Sequence, residues 1–396
     1  LITAKRRTQQ LCRIVVKHRM LNLQMQQQAL VLLKNENNIL PLDKRQIKKV
    51  LVTGPLADED NFMTSRYGPN GLETVTVLAG LRNYLKGIAE VDYAKGCDIV
   101  DAGWPATEIL PAPMSEQEKQ GIAEAVAKAG ESDVIIAVLG EDEYRTGESR
   151  SRTSLDLPGR QQQLLEALHA TGKPVILVLI NGQPLTVNWA NAYIPAILES
   201  WFPGCQGGTV IAETLFGEHN PGGKLTVTFP KSVGQIELNF PFKPGSHGAQ
   251  PHSGPNGSGA TRVIGELYPF GFGLSYTTFA YSDLEVSPLQ QHNTQGEYTI
   301  KVNVTNTGKR AGDEVVQLYV RDKVSSVITY DSQLRGFERV SLQPGETRQV
   351  TFSLKPEDLQ ILDRNMNWTV EPGEFEVMIG ASSQDIRLKK TITALP

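Results

Sequence analysis

At 396 residues the chain is too long for one average domain and suits two or three, each able to bury its own core. Its 39 Lys and Arg stand against 43 Asp and Glu, and the formal charge of -4 is spread thinly. That balance argues against a nucleic-acid or anionic-membrane partner and fits a neutral substrate better. Cys12, Cys97 and Cys205 stand far apart, with no Cys-x-x-Cys pair and no His at ligand spacing, so neither a disulfide scaffold nor a structural metal site is indicated. No apolar run approaches the ~18 residues of a membrane span.

Residues 1 to about 35 read as helical, with Leu21, Met25, Ala29, Leu32 and Leu33 on one face and Asn35 to Asn38 as the stop. The first residues lack both an initiator Met and the apolar core of a signal peptide, so 1–29 is expected to be a residual linker helix with more protein upstream. Strands and helices then alternate over an α/β domain placed at 30–230. The expected elements are a strand at Lys49–Gly54, a helix near Leu72 to Leu85, a strand near Val91 and a helix from Ser115 to Gly130. Ser115-Glu-Gln-Glu118 has the form of a capping box. There follow a strand at Val134–Leu139, a helix after Pro158-Gly159, a strand at Pro174–Ile180, another at Ala196–Ser200 and a helix at Thr209–Phe216. Short β-branched runs without alternation, separated by amphipathic helices, predict a doubly wound, mostly parallel sheet covered on both faces.

Beyond Pro230 the composition changes. Residues 231–280 are rich in Gly, Pro, Ser and His and read as a linker, and 281–396 as an all-β domain. Tyr298–Val304, Glu314–Val320, Gln349–Leu354 and Glu374–Ile379 alternate with period two between turns such as Asn306-Thr-Gly308 and Pro344-Gly345. About seven short strands predict an immunoglobulin-like sandwich.

The chemistry is sought where a carboxylate follows the most convincing buried strand. Gly140-Glu141 leaves that strand directly, and Gly147-Glu148-Ser-Arg-Ser-Arg152 lies further along the same polar loop, ahead of Leu155-Asp-Leu-Pro-Gly-Arg-Gln161. A carboxylate at the carboxyl end of a parallel strand can project into a cleft that shifts its pKa, so Glu148 and Glu141 are both general acid/base candidates. The bland alternative is a solvated, salt-bridged loop, with Arg152 pairing a carboxylate or sitting on the surface. Gly204-Cys-Gln-Gly-Gly208 lacks the spacing and the Lys of a phosphate cradle, and its glycines read as a tight strand-to-helix turn. Trp104 and Trp201 are either sugar-stacking rings or core.

Several motifs stand together in a recognisable order. They are Leu32-Leu-Lys-Asn-Glu36 with Leu40-Pro-Leu42, Ser65-Arg-Tyr-Gly-Pro69, Gly147-Glu148 with Ser151-Arg152 and Leu157-Pro-Gly159, Asn181-Gly-Gln-Pro184, Trp201-Phe-Pro-Gly204 and Leu215-Phe-Gly217. Asn220-Pro-Gly-Gly-Lys-Leu225, Thr228-Phe-Pro230, Tyr268–Tyr276, Ala311–Val320 and Leu334-Arg-Gly-Phe-Glu338 continue the series. From about Ala29 onward the chain resembles the carboxyl-terminal part of glycoside hydrolase family 3, the β-glucosidases and β-xylosidases, including their fibronectin type III-like domain.

The resemblance implies a retaining exo-β-glycosidase in which an amino-terminal barrel carries an aspartate nucleophile and the α/β domain carries the acid/base glutamate. Glu148 is the preferred match, because its Gly-Glu-x-x-x-Arg spacing is similar to the family's acid/base segment; Glu141 is the fallback. No barrel or nucleophile segment is found in this sequence, so the chain alone is expected to be inactive. The implied partners are a β-glycoside or oligosaccharide and the missing barrel, with no cofactor, metal, nucleic acid or membrane. The implied location is periplasmic or secreted. A non-catalytic carbohydrate-binding or adhesion module is the alternative.

Overall fold

The structure, a computed structural model, describes residues 17–60, 63–65, 67–68, 73–235, 238–243, 263, 265–292 and 296–396. Two compact units emerge. One holds the described residues up to Gln183 together with Trp189–Gly223, and the other holds Pro184–Asn188 with Lys224–Pro396.

The first unit begins with helix α1 over 17–29, which gives way to strand β1 (Val31–Asn35) rather than running on to residue 35 as the periodicity suggested. The apolar triplet Val31-Leu-Leu33 is buried because β1 pairs antiparallel with the edge of β6 (Ala196–Glu199), with Val31 opposite Glu199. The predicted helix face is also reversed. Leu21 and Met25 are 51% and 64% exposed, whereas Asn22 and Gln26 turn inward and donate to the Cys205 sulfur. Apolar spacing located the helix, but tertiary hydrogen bonds chose its buried side. Residues 1–16 of the predicted helix lie outside the described residues.

The elements that follow are β2 (Lys49–Thr53), α2 (Val77–Tyr84), β3 (Glu90–Ala94), α3 (Ala106–Ile109), α4 (Glu116–Gly130), β4 (Val134–Gly140), α5 (Gln161–His169), β5 (Val175–Ile180), α6 (Asn188–Tyr193), β6 and α7 (Gly207–Leu215). The sheet order is β1-β6-β5-β4-β2-β3, and every neighbouring pair except β1–β6 is parallel. All residues of β4 and β5 are buried, which explains their unbroken apolar sequence: both strands are interior to the sheet and have no solvated face. The capping box at Ser115 is formed, with Glu118 N donating to Ser115 Oγ at 3.2 Å and Ser115 N donating to Glu118 Oε2 at 2.6 Å.

The glycines at the start of α7 do more than turn the chain. A Cβ on Gly208 would lie 1.9 Å from the Thr76 carbonyl oxygen, and one on Gly80 would lie 2.1 Å from the Gly208 carbonyl oxygen. Helices α2 and α7 therefore cross backbone to backbone, a closeness only glycine permits. Gly204, at φ +81, makes the turn itself.

In the second unit, Val233–Gln235 forms a short 3-10 turn and Phe229 bridges Tyr268; residues 244–262 of the predicted linker lie outside the described residues. The all-β region opens with the strand at Phe279. Its strands are β7 (Phe279–Ser287), β8 (Gln290–His292), β9 (Tyr298–Asn306), β10 (Gly312–Asp322), β11 (Gln333–Leu342), β12 (Thr347–Leu354), β13 (Ile361–Leu362), β14 (Trp368–Thr369), β15 (Gly373–Gly380) and β16 (Ile386–Leu395), with the short helix α8 (Pro356–Leu359). Strands β11-β10-β15-β16-β8 form one sheet and β12-β9-β7 another. The two share one core, in which Ile300, Val302 and Val304 face Leu318, Val377 and Ile379. Strict alternation along β9 puts alternate residues into that core, and its last inward residue, Asn306, is satisfied by the Leu342 and Arg310 carbonyls and by Thr277. Among the described residues no helix is long and apolar enough to cross a membrane.

Candidate active site

Strand β2 has β3 on one side and β4 on the other, so the winding of the sheet reverses between β2 and β4. In open α/β sheets, ligands bind in the crevice at the carboxyl ends of such strands. Gly140, the last residue of β4, has φ +138, and a Cβ there would meet the Ile180 carbonyl oxygen at 2.0 Å. Only glycine lets the chain leave the sheet at this point. Gln161 clamps the exit: its Oε1 accepts from Gly140 N at 2.7 Å, and its Nε2 donates to the Gly140 and Ile99 carbonyls at 2.8 and 3.0 Å.

The two glutamates of the emerging loop occupy opposite environments. Glu141 is fully buried, and its Oε1 accepts from Arg152 Nη1 and, at 2.9 Å, from Gln183 Nε2. Arg152 also donates from Nε to Glu108 Oε1 and from Nη2 to the Asp156 carbonyl, each at 3.0 Å. One guanidinium thus joins two carboxylates. Glu108 in turn accepts from Thr153 Oγ1 at 2.6 Å and from the Trp104 indole at 3.1 Å. Burial opposes its ionisation, but the Thr153 and Trp104 bonds and the Arg152 charge outweigh that and hold its pKa below the usual carboxylate range. Beside it, Arg145 pairs with Asp142 at 2.5 Å and lies 4.9 Å from the Trp104 ring centroid, so Trp104 covers a cation.

Glu148 is at the exposed tip of the same loop. It is flanked by Gly147 at φ +119 and Ser149 at φ +63, and its backbone N donates to the Tyr67 hydroxyl at 3.2 Å. The sequence-derived trio therefore separates into a buried ion pair, Glu141 with Arg152, and a solvent-facing carboxylate, Glu148. Chemically, the first is an ion pair inside the fold, while the second is exposed to solvent.

The polar chain continues along the carboxyl edge of the sheet. Asn181 Nδ2 donates to the Gln183 carbonyl at 2.7 Å and to Glu199 Oε2 at 3.1 Å, and Glu199 Oε1 accepts from Trp201 N at 2.7 Å, holding Trp201 at φ +55. Burial raises the pKa of Glu199 from 4.5 to about 8, although the Trp201, Asn181 and Ser200 bonds pull the other way. The folded state therefore binds this proton more tightly than the unfolded one. The resulting stabilisation is complete below about pH 4.5 and is lost as the pH rises through about 8. Glu199→Gln should abolish that fall, so that urea titrations at pH 5 and pH 8 differ less than for the native chain. An unchanged difference would place the titrating proton elsewhere.

The sequence singled out Glu141, Glu148 and Arg152 as candidates but not Glu108, Gln183 and Glu199, which the structure joins to the same polar network. Glu108 sits on α3, a four-residue helix with no periodic signal. Gln183 and Asn181 stood within a quoted motif without a role. Glu199 was legible as a charge ending the apolar run Ala196-Ile-Leu.

Residues 30–276 match the model of the glycosyl hydrolase family 3 C-terminal domain, and residues 314–383 that of a fibronectin type III-like domain. A β-xylosidase of Formosa agariphila is 42% identical over 94% of this chain and 50% of its own length. A periplasmic β-glucosidase of Salmonella typhimurium is 40% identical over 91% of the chain and 48% of its own. The crystal structure of a Listeria innocua β-glucosidase in complex with glucose superposes with a TM-score of 0.80 at 30% identity, covering 93% of this chain and 48% of that one. The chain belongs to glycosyl hydrolase family 3. It spans about half the length of the curated relatives it matches.

Proposed function

We propose that this chain carries the acid/base half of a retaining β-glycosidase that releases terminal sugars from β-glucosides or β-xylosides, with Glu148 as the acid/base. The observation that carries the reading is the contrast within one loop: Glu148 is exposed at the tip, while Glu141 is buried and bound by Arg152 and Gln183. A proton donor has to reach the glycosidic oxygen, and a carboxylate held by two protein donors inside the fold does not reach it. The family relationship and the sugar bound by the Listeria innocua relative support a glycoside as substrate.

In a retaining mechanism Glu148 protonates the departing oxygen while a second carboxylate, ~5 to 5.5 Å away, attacks the anomeric carbon. Glu148 then removes a proton from the water that releases the sugar. The second carboxylate is proposed to be an aspartate on an amino-terminal barrel, in keeping with relatives about twice this length. The periplasmic relative supports an extracytoplasmic location. The purified chain should release no aglycone from aryl β-glucosides or β-xylosides, because proton donation by itself contributes only about 10²- to 10⁴-fold. Joining it to a nucleophile-bearing barrel should restore turnover. A stoichiometric burst from the chain alone would place a nucleophile within these residues and defeat the proposal.

A further inference from the structure

In the second unit a groove of about 760 Å³ lies between the loop that follows β10 and the α8–β13–β14 segment, a volume within the roughly 300–1,000 Å³ of ligand sites. Its walls are fixed by the protein. On one side the Val327–Tyr330 loop is pinned where Ser326 N donates to Glu371 Oε2 at 2.8 Å, Arg364 Nη2 donates to the Ser326 carbonyl at 3.1 Å, and Asp331 N donates to the Phe242 carbonyl at 2.9 Å. On the other, Trp368 of β14 is paired in register with Leu362 of β13.

Two features of the lining call for a ligand. The first is aromatic: Trp368 is 68% exposed and Tyr330 39% exposed, an arrangement that buries neither ring in the sandwich core. The second is electrostatic. Arg335 of β11 is half-buried in the groove, has no ion pair or hydrogen bond among the described residues, and its Nε is shut off from water without an acceptor. Burial pulls its pKa below that of an ordinary guanidinium, and the charge of Asp358 only partly opposes this. Lys243 adds a second cation, with Nζ 5.6 Å from the Tyr330 ring centroid, against the exposed carboxylate of Glu357.

An unpaired guanidinium is completed by a carboxylate, which can take two parallel N–H bonds. Exposed ring faces suit the apolar faces of pyranose rings, and the side chains of Gln333 and Gln360 offer both donors and acceptors to hydroxyl groups. We propose that this groove binds an oligosaccharide bearing a uronic acid, with Trp368 against a sugar face and Arg335 on the uronate carboxylate. The assignment stands on the second unit by itself and does not depend on the role of Glu148.

Calorimetric titration of the whole chain with trigalacturonate and with its methyl ester separates charge from shape. The acid should bind more tightly than the ester, by roughly tenfold or more. Trp368→Ala should weaken both ligands, and Arg335→Gln should erase the difference between them while leaving the melting curve of the chain intact. Should Arg335→Gln fail to fold, Lys243→Ala still has to narrow the acid-to-ester ratio. Equal binding of acid and ester by the native chain, binding that survives Trp368→Ala unchanged, or binding of a short acidic peptide in preference to the saccharide would each overturn the assignment.

Discussion

In an enzyme that joins this chain to a nucleophile-bearing barrel, Glu148→Ala should slow turnover of unactivated β-glycosides by about 10²- to 10⁴-fold. The loss should depend on the leaving group. An acidic phenol departs without protonation, so for such substrates the first step is spared and the glycosyl-enzyme accumulates for want of a base. Azide, which needs no base, should then restore turnover and yield the β-glycosyl azide. Glu141→Ala should behave differently, because it removes a buried partner of Arg152 and Gln183 rather than a group at the exposed tip. Its effect should appear as lost stability with no azide response. Rescue of Glu141→Ala alone would transfer the acid/base role to Glu141, and rescue of neither would move it outside this loop.

Arg152→Met should destabilise the α/β unit by about 3–5 kcal/mol, the cost of stripping a buried charge of its partner. The geometry makes the penalty double-sided: Arg152 is 4% exposed and joins Glu141, which is fully buried, to Glu108, which is 9% exposed. Removing the cation strands both carboxylates. Arg152→Lys should recover only part of the loss, since one ammonium does not reproduce three separate contacts, from Nε to Glu108, Nη1 to Glu141 and Nη2 to the Asp156 carbonyl. Adding Glu141→Gln to Arg152→Met should return much of the stability in urea titrations, because the worst-placed charge is then gone. A double variant no more stable than Arg152→Met would show that the guanidinium acts chiefly by packing.

The fold was legible wherever a segment is buried on both faces or alternates cleanly. Val134–Gly140 and Val175–Ile180 carry their buried position in their composition, and Tyr298–Asn306 carries its sandwich position in its period. Among the described residues, seven strands of eight or more residues agree with the expected number of about seven, and the three short ones, at Gln290, Ile361 and Trp368, are too brief for any period to register. The amino-terminal segment misled because Val31-Leu-Leu33 fits helical spacing as well as it fits a strand; its fate is settled by the open edge of Ala196–Glu199, far away in sequence. The site was half legible for a related reason. Glycine before glutamate marks a strand exit, but which of two glutamates is buried depends on Arg152, Gln183 and Glu108, three residues from separate elements.

The way the loop from Glu141 to Arg152 is fastened also bears on how such a site can diversify. Gln161 holds the loop where it leaves the strand, and the Glu141–Arg152 pair ties its two arms together below the tip. The tip can therefore lengthen or shorten without loosening its foundation, since doubling a flexible loop costs only about 0.6 kcal/mol. Insertions and deletions there would shift the proposed proton donor, Glu148, while the sheet stays as it is. One scaffold could then be refitted to leaving groups of different bulk by changing a handful of exposed residues.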